Sequence, residues 1–598
     1  MMPRPALRRL RRVGVGAAAV AMVVSACSGV PSSSSPEVIH PAEGNLSAAG
    51  QPLITPQPGA EAREIVKEFL NANVGEPDDP RSAHLFLTPG EQGKWSDSTV
   101  AILQQDPRVD FAVQDSDNKT RVTVSGTQIG RLAADGTYTP EPAGTVGGGG
   151  QSWQNTFTLV LVDGQWRISD LPDGLIVTEA DFAAAYLPAR KLYFFDLHEE
   201  HLVPDLRYSA LTSEQVIASW QLTQLLAGPR AQLDGAVRSE VPPSQGALSA
   251  RPSVKVTGQF DSVELPGSSQ LDAPTKRKLA AQLMATFGQL EAQAVMTITD
   301  GGRPIDIPSI PQRFTKSDIS AATGLFGSIQ PPVFYVDAQG RLVDAKGKPV
   351  EANGKPFKGP LGPGPHILTS VAVAARNSDN YEVAVTTGSG ASEALWIGKL
   401  VSSLHKAAVG IGPLTRPSWA PGLTEAWVAS GAHLFRVSDR ARAIPVQTGL
   451  PEGAITALRF SSDGTRLALI VQGKAGGAQL WIAAVVRASG TVRLDNPQPI
   501  TTEDYALTDV AWNDDTTLYV IGKDSSHNPG IWSIQADGSN LQPRPTGGLP
   551  SAPDSITAAP GGGMPAWVSA GVGVFQETSD WEGPNNQTTY GSNPVYLE

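Results

Sequence analysis

One residue type in this 598-residue chain occurs a single time: cysteine, at Cys27. A lone thiol has no partner for an internal disulfide, so the folded part of the chain is expected to carry none. The other residues that could do chemistry are dispersed. Eight histidines are spread along the chain, with His40 and His84 far apart near the start. His198 and His201 stand three apart, a spacing that suits a metal on a helix, but LYFFDLHEEHLVPDLRYS reads as a hairpin with its turn at those histidines. Asp463, Asp514 and Asp537 lie in turn-like stretches and read as turn formers, with calcium the weaker reading. The chain has no Gly-x-Ser-x-Gly, His-Glu-x-x-His, phosphate-loop or dinucleotide-binding glycine pattern. No catalytic, metal or cofactor residue is therefore expected from local spacing.

The residues before Cys27 say where the chain is sent. Arg8, Arg9, Arg11 and Arg12 precede an apolar run from Val13 to Val24, and Ser25-Ala26 lead into Cys27. A basic start, a short apolar core and small residues before a break describe a secretory signal. The run has about a dozen residues, too few for a helix that crosses a bilayer in roughly twenty. Val24-Ser25-Ala26-Cys27 resembles a bacterial lipobox. That resemblance implies a signal peptide over residues 1–26, diacylglycerol and palmitate on Cys27, and Cys27 as the new N-terminus.

Composition narrows the partners. Formal charge is −12, and loss of residues 1–26, with five arginines and no acid, would take it to −17. Such a surface repels phosphate, so nucleic acid is not expected, and the attachment to an anionic membrane must be the lipid. Charged residues make up 17%, while Gly and Pro number 61 and 49. That balance favours many short strands and turns in several domains.

Residues 27–58 are rich in Ser, Pro and Gly without apolar periodicity, and read as a disordered tether. Fully stretched at roughly 3 Å per residue, it spans several tens of ångströms. Residues 59–188 open with a helix whose Ile65, Val66, Phe69 and Leu70 share one face, followed by alternating strands 121–129, 156–162 and 165–169. Asp163-Gly164 between the last two is a hairpin signal. A helix followed by a curled antiparallel sheet resembles the nuclear-transport-factor-two-like cone. Residues 189–312 add a hairpin and a helix across TSEQVIASWQLTQLLAGP. There Thr212 and Gln215 have capping-box spacing, and Val216, Trp220, Leu225 and Leu226 are expected to form the apolar face. A second helix presents Leu279, Leu283, Phe287 and Leu290, and a hairpin closes at Asp300-Gly301-Gly302. The segments YFF…LVPDLR, LLAGP, VPP and ITDGGRPI resemble the GerMN domain of germination and envelope proteins.

The region 325–598 repeats. Val373, Trp419, Phe460, Trp512 and Ala558 occupy equivalent places in five similar segments, spaced as in four-stranded propeller blades. Val333 to Val350, completed by a strand near Val595 to Leu597, would make a sixth and remove the exposed edges. Phe460-Ser461-Ser462-Asp463-Gly464 resembles the turn of TolB-like propellers. The tryptophans read as packing between blades, with sugar stacking the alternative. The expected fold is thus multidomain, two small α+β domains followed by an all-β propeller of five to six blades.

The order of lipobox, tether, cone-like domain, GerMN-like domain and propeller resembles the LpqB family of actinobacterial lipoproteins. That resemblance implies a non-enzymatic protein on the outer face of the cell membrane, extending into the cell wall. It also implies a partner, the extracytoplasmic domain of an MtrB-like sensor histidine kinase in a two-component system for envelope and division control. Two other readings stay open: a glycan-binding or hydrolytic propeller, which needs carboxylates or histidines converging on the channel mouth, and a passive envelope scaffold.

Overall fold

The computed structural model describes residues 54–598, apart from 75–80, 142–149, 243–250, 258–260, 290–293, 327–329, 353–354, 357–367, 378–379, 400–403, 410–411, 439–441, 474–476, 489, 502–503, 560–561 and 584–588. Strands dominate, and no helix among the described residues is long and apolar enough to cross a membrane.

The first domain is a helix laid in a curled sheet. Helix Ala62–Ala72 buries Ile65, Val66, Phe69 and Leu70 at the expected spacing. Phe69 meets Phe86, Trp95 and Phe157 edge-on at 6.4, 5.6 and 6.0 Å between ring centres. Truncating such a residue to alanine costs about 3–5 kcal/mol. Strands Gln151–Val162 and Gln165–Asp170 are joined by Asp163 and Gly164 at φ 52° and 76°, the two positive values that a type I′ hairpin turn requires. The sheet is not wholly antiparallel as expected: Val100–Leu103 pairs in parallel with Leu175–Thr178. Residues 54–58, which composition assigns to the tether, lie against this domain. Ile54 packs on its core and donates its N–H to Ser82 Oγ at 3.1 Å.

In the middle domain, Arg190–Asp196 pairs with Leu202–Arg207 on one edge and Val237–Arg238 on the other. A second sheet holds the parallel pair Asp261–Glu264 and Met296–Asp300, bridged by helix Ala273–Phe287, a crossover long enough to reverse the chain. Leu279, Leu283 and Phe287 are fully buried there, whereas Leu290 lies outside the described residues. The other helix differs from expectation. It runs Glu214–Ala227 with Ser213, rather than Thr212, as its N-cap and no cap bond from the Ser213 side chain. Gln215 instead bonds Val254 O at 2.8 Å and Val256 N at 2.9 Å, stitching the helix to a strand. That contact turns Ile217, Ala218, Leu222 and Leu225 inward and leaves Val216 exposed.

Six blades of described residues ring the propeller. Their innermost strands are Leu368–Asn377, Ser418–Trp419, Ala454–Phe460, Ala506–Trp512, Pro553–Thr557 and Thr589–Tyr596. Blades 1 to 5 each follow with three outward strands. In the sixth, Thr589–Tyr596 pairs with Val333–Asp337, Val333 opposite Tyr596 and Phe334 opposite Val595. The two ends of the propeller sequence thus share one sheet, which leaves no free edge at the junction. Trp419 donates its indole N–H to Ala372 O at 3.3 Å, and Trp512 donates to Arg459 O at 3.1 Å. Each tryptophan reaches back to the preceding blade, so packing rather than sugar stacking accounts for these two.

Candidate functional site

Cys27 and its flank Val24, Ser25 and Ala26 lie outside the described residues. His198 and His201 stand in the expected turn, where Asp196 Oδ1 accepts from the N–H groups of Glu200 (2.7 Å) and His201 (2.9 Å). His201 Nδ1 is 3.8 Å from Asp196 Oδ2, and that neighbour raises the imidazole pKa. No group of three or more His, Cys, Asp or Glu suited to a metal occurs among the described residues. The three turn aspartates bond within their own turns, although Asp537 Oδ2 is left buried without a hydrogen bond from a described residue. Asp463 accepts from Thr465 N at 2.8 Å and pairs with Arg466 at 2.5 Å. Asp514 takes Thr516 N and Thr517 N at 2.7 Å, and Asp537 takes Ser539 N at 3.0 Å.

Two further places bring functional groups from distant elements together. The first is the propeller axis. Arg416, ahead of the blade 2 inner strand, crosses to Ile556 O at 2.8 Å and Pro594 O at 3.2 Å. Asp509 of blade 4 lies 3.5 Å from Arg459 and 3.7 Å from Arg416, and accepts Ile556 N at 3.0 Å. Glu598 accepts Trp419 N at 2.5 Å and Ser418 Oγ at 3.4 Å. Burial raises both carboxyls, Glu598 to about 7, and Asp509 too despite its arginines. Carboxylates do converge here, as a hydrolytic or glycan-binding channel would need. They are spent on arginines and on backbone and hydroxyl donors of the neighbouring blades.

The second place lies between the first domain and the propeller, where two interdomain seams hold the walls of a cleft. Arg207, fully buried, donates to Asp135 Oδ2 at 2.6 Å in the first domain and to Asp205 Oδ2 at 2.8 Å in its own. Tyr208 N donates to Gly136 O at 2.8 Å. Gly136 has φ 77°, and a Cβ there would stand 2.6 Å from Tyr208 O and 2.8 Å from Trp220, so glycine alone allows the approach. The Tyr208 ring packs on Phe182 at 5.3 Å while its hydroxyl meets Ser539 Oγ of the propeller at 2.5 Å. Lys191 and Tyr193 add bonds to Asp515 at 2.6 and 3.1 Å. Ala484 and Val486, on the long blade 3 strand Ala478–Ala488, are part of the middle domain's core.

The cleft encloses about 760 Å³. Ile129, Tyr138, Phe182, Glu141 and Glu179 line one wall; Gln479, Thr501, Asp504, Tyr505, Asp524 and Trp532 line the other. Glu179 begins helix Glu179–Tyr186, which Thr178 and Asp181 cap reciprocally, so its place follows from a legible T-x-x-D box. The opposing residues come from blades 3 and 4, more than 290 positions away along the chain. No local spacing could pair them with Glu179.

The architecture defines a class: a multidomain propeller protein whose two α+β modules are fastened to the propeller by buried polar seams. The family model "Lipoprotein LpqB, N-terminal domain" matches residues 55–183, and "Lipoprotein LpqB beta-propeller domain" matches residues 340–596. The chain belongs to the LpqB lipoprotein family. It is 28% identical to Lipoprotein LpqB of Rhodococcus opacus over 96% of this chain and 94% of that one. To the Lipoprotein LpqB of Corynebacterium jeikeium it is 28% identical, over 93% and 92%. Among solved structures, TolB from Acinetobacter baumannii aligns with 53% of this chain and 85% of its own, at 12% identity and a TM-score of 0.33.

Proposed function

We propose that this chain is a lipid-anchored accessory protein on the outer face of the cell membrane. In this reading it binds the extracytoplasmic domain of an MtrB-like sensor histidine kinase and modulates its output. The observation that carries the reading is the meeting of two facts. Family membership among lipoproteins extends over nearly the whole chain, and the one cysteine ends Val24-Ser25-Ala26-Cys27, a stretch that resembles a lipobox. The mechanism is geometric. The lipid on Cys27 confines the body to the membrane that holds the kinase, so a weak interface suffices at the resulting effective concentration. The seams through Arg207, Tyr208 and Asp515 support this by holding the contact surface as one body rather than three loosely strung modules.

The experiment compares wild type with Cys27→Ala by membrane fractionation and co-purification with the kinase. Wild type is expected in the membrane fraction with kinase bound, and the variant in the soluble fraction without it. Kinase association and signalling that survive loss of the lipid would overturn the confinement mechanism.

A further inference from the structure

The cleft is lined by carboxylates, and two of them have no counter-charge or hydrogen-bond donor among the described residues. Four carboxylates line it, Glu141, Glu179, Asp504 and Asp524, and no Lys or Arg does so among the described residues. Two are provided for: Glu141 takes Gln128 Nε2 at 3.2 Å with Arg131 at 3.8 Å, and Asp524 closes a turn through Ser526 N and Asn528 N at 2.9 Å. The other two are not. Glu179 accepts no hydrogen bond from a described residue, and burial alone pushes its carboxyl above the usual range. Asp504 Oδ2 is shut off from solvent with no partner among the described residues. An uncompensated buried carboxylate oxygen costs free energy that a bound cation would recover.

Aromatic rings supply a second and independent feature. Tyr505 and Trp532 meet edge-to-face at 5.4 Å and 80° on the wall beside Asp504. Trp532 is 8% exposed, and its indole N–H donates to no described group. After burial, the charges that raise the Tyr505 phenol are Asp524, Asp504 and Glu179, so carboxylates of both domains converge on one ring. Electron-rich ring faces next to carboxylates favour a cation that also has an apolar body. The volume falls within the roughly 300–1,000 Å³ of small-molecule sites, which concentrate at domain interfaces.

We propose that the cleft binds an organic ammonium compound, a primary or secondary amine carried on an apolar or ring body. The ammonium lies between Glu179 and Asp504, and the body lies against Tyr505 and Trp532. This goes beyond the kinase-accessory reading and does not depend on it, because binding is measured on the isolated full chain.

The test is calorimetric titration of the full chain in detergent with tyramine and with 4-ethylphenol, which has the same ring without the amine. A neutral sugar, chitobiose, is the third probe. Tyramine is expected to bind, with 4-ethylphenol weaker by roughly tenfold or more, the usual effect of losing a charged hydrogen bond. A Glu179→Gln/Asp504→Asn variant is expected to lose tyramine by a similar factor while its melting temperature holds or rises, which separates a binding defect from misfolding. Three results would overturn the proposal: equal affinity for tyramine and 4-ethylphenol, chitobiose binding tighter than tyramine, or no tyramine binding at millimolar concentration.

Discussion

The propeller axis and the interdomain cleft both hold carboxylates in sheltered positions, yet the two sites treat them differently. At the axis, Asp509 and Glu598 are answered by Arg416, Arg459 and the N–H groups of Ile556 and Trp419. In the cleft, Glu179 and Asp504 Oδ2 have no such partner among the described residues. Residue type therefore does not separate a structural carboxylate from a binding one. What separates them is whether the fold itself supplies the counter-charge. The axis closes a ring and must be satisfied in the protein alone, whereas a cleft between domains can leave that role to a ligand.

Substitutions can break or sharpen this contrast. The largest effect is expected at the axis. Arg459→Met leaves Asp509 buried beside one arginine at 3.7 Å, and should destabilise the protein by about 3–5 kcal/mol, read as a lowered calorimetric melting temperature. An unchanged melting temperature would show that Asp509 is compensated elsewhere. Next comes the seam between the sites. Tyr208→Phe removes the bond to Ser539 Oγ and should cost about 1 kcal/mol. It should also raise proteolytic cleavage at the middle-domain boundary, since the modules would part more readily.

A third effect is a slope rather than a loss. Glu598 carries a folded-state pKa of about 7, above its ordinary value. The folded state then holds this proton longer than the unfolded chain. Its stabilising contribution is complete below the ordinary glutamate pKa and is lost as pH rises through about 7. Glu598→Gln should flatten the melting-temperature profile between about pH 5 and pH 8 relative to wild type. The smallest effect is expected in the cleft, where Glu179→Gln should change stability by no more than about 0.5 kcal/mol, and toward greater stability. A large loss there would mean that Glu179 has a partner in the protein and that the contrast is false.

Legibility in the sequence followed the range of the interactions involved. The helix Ala62–Ala72, the Asp163-Gly164 hairpin and the blade repeat were readable because periodicity and turn chemistry are local. The face of Glu214–Ala227 was not. Its apolar residues surround the helix, and the choice between Val216 and Ile217 was made by Gln215 bonding a strand some forty residues on. The contact of Ile54 with the first domain is likewise not legible, because it packs against a core that composition cannot display. The cleft lay furthest out of reach. Glu179 could be placed at a helix start, but Asp504, Tyr505 and Trp532 become its neighbours through two docking seams that carry no sequence signature. Cys27 is the reverse case, a proposed lipid site that rests on contiguous residues alone.

The central claim is that the lipid on Cys27 confines this body beside a sensor kinase. Cross-linking mass spectrometry on intact cells tests it most directly. The account predicts cross-links between residues 54–598 and the kinase's extracytoplasmic domain in wild type, and their loss in Cys27→Ala. Cross-links of equal yield in both strains, or none to the kinase in wild type, would contradict it.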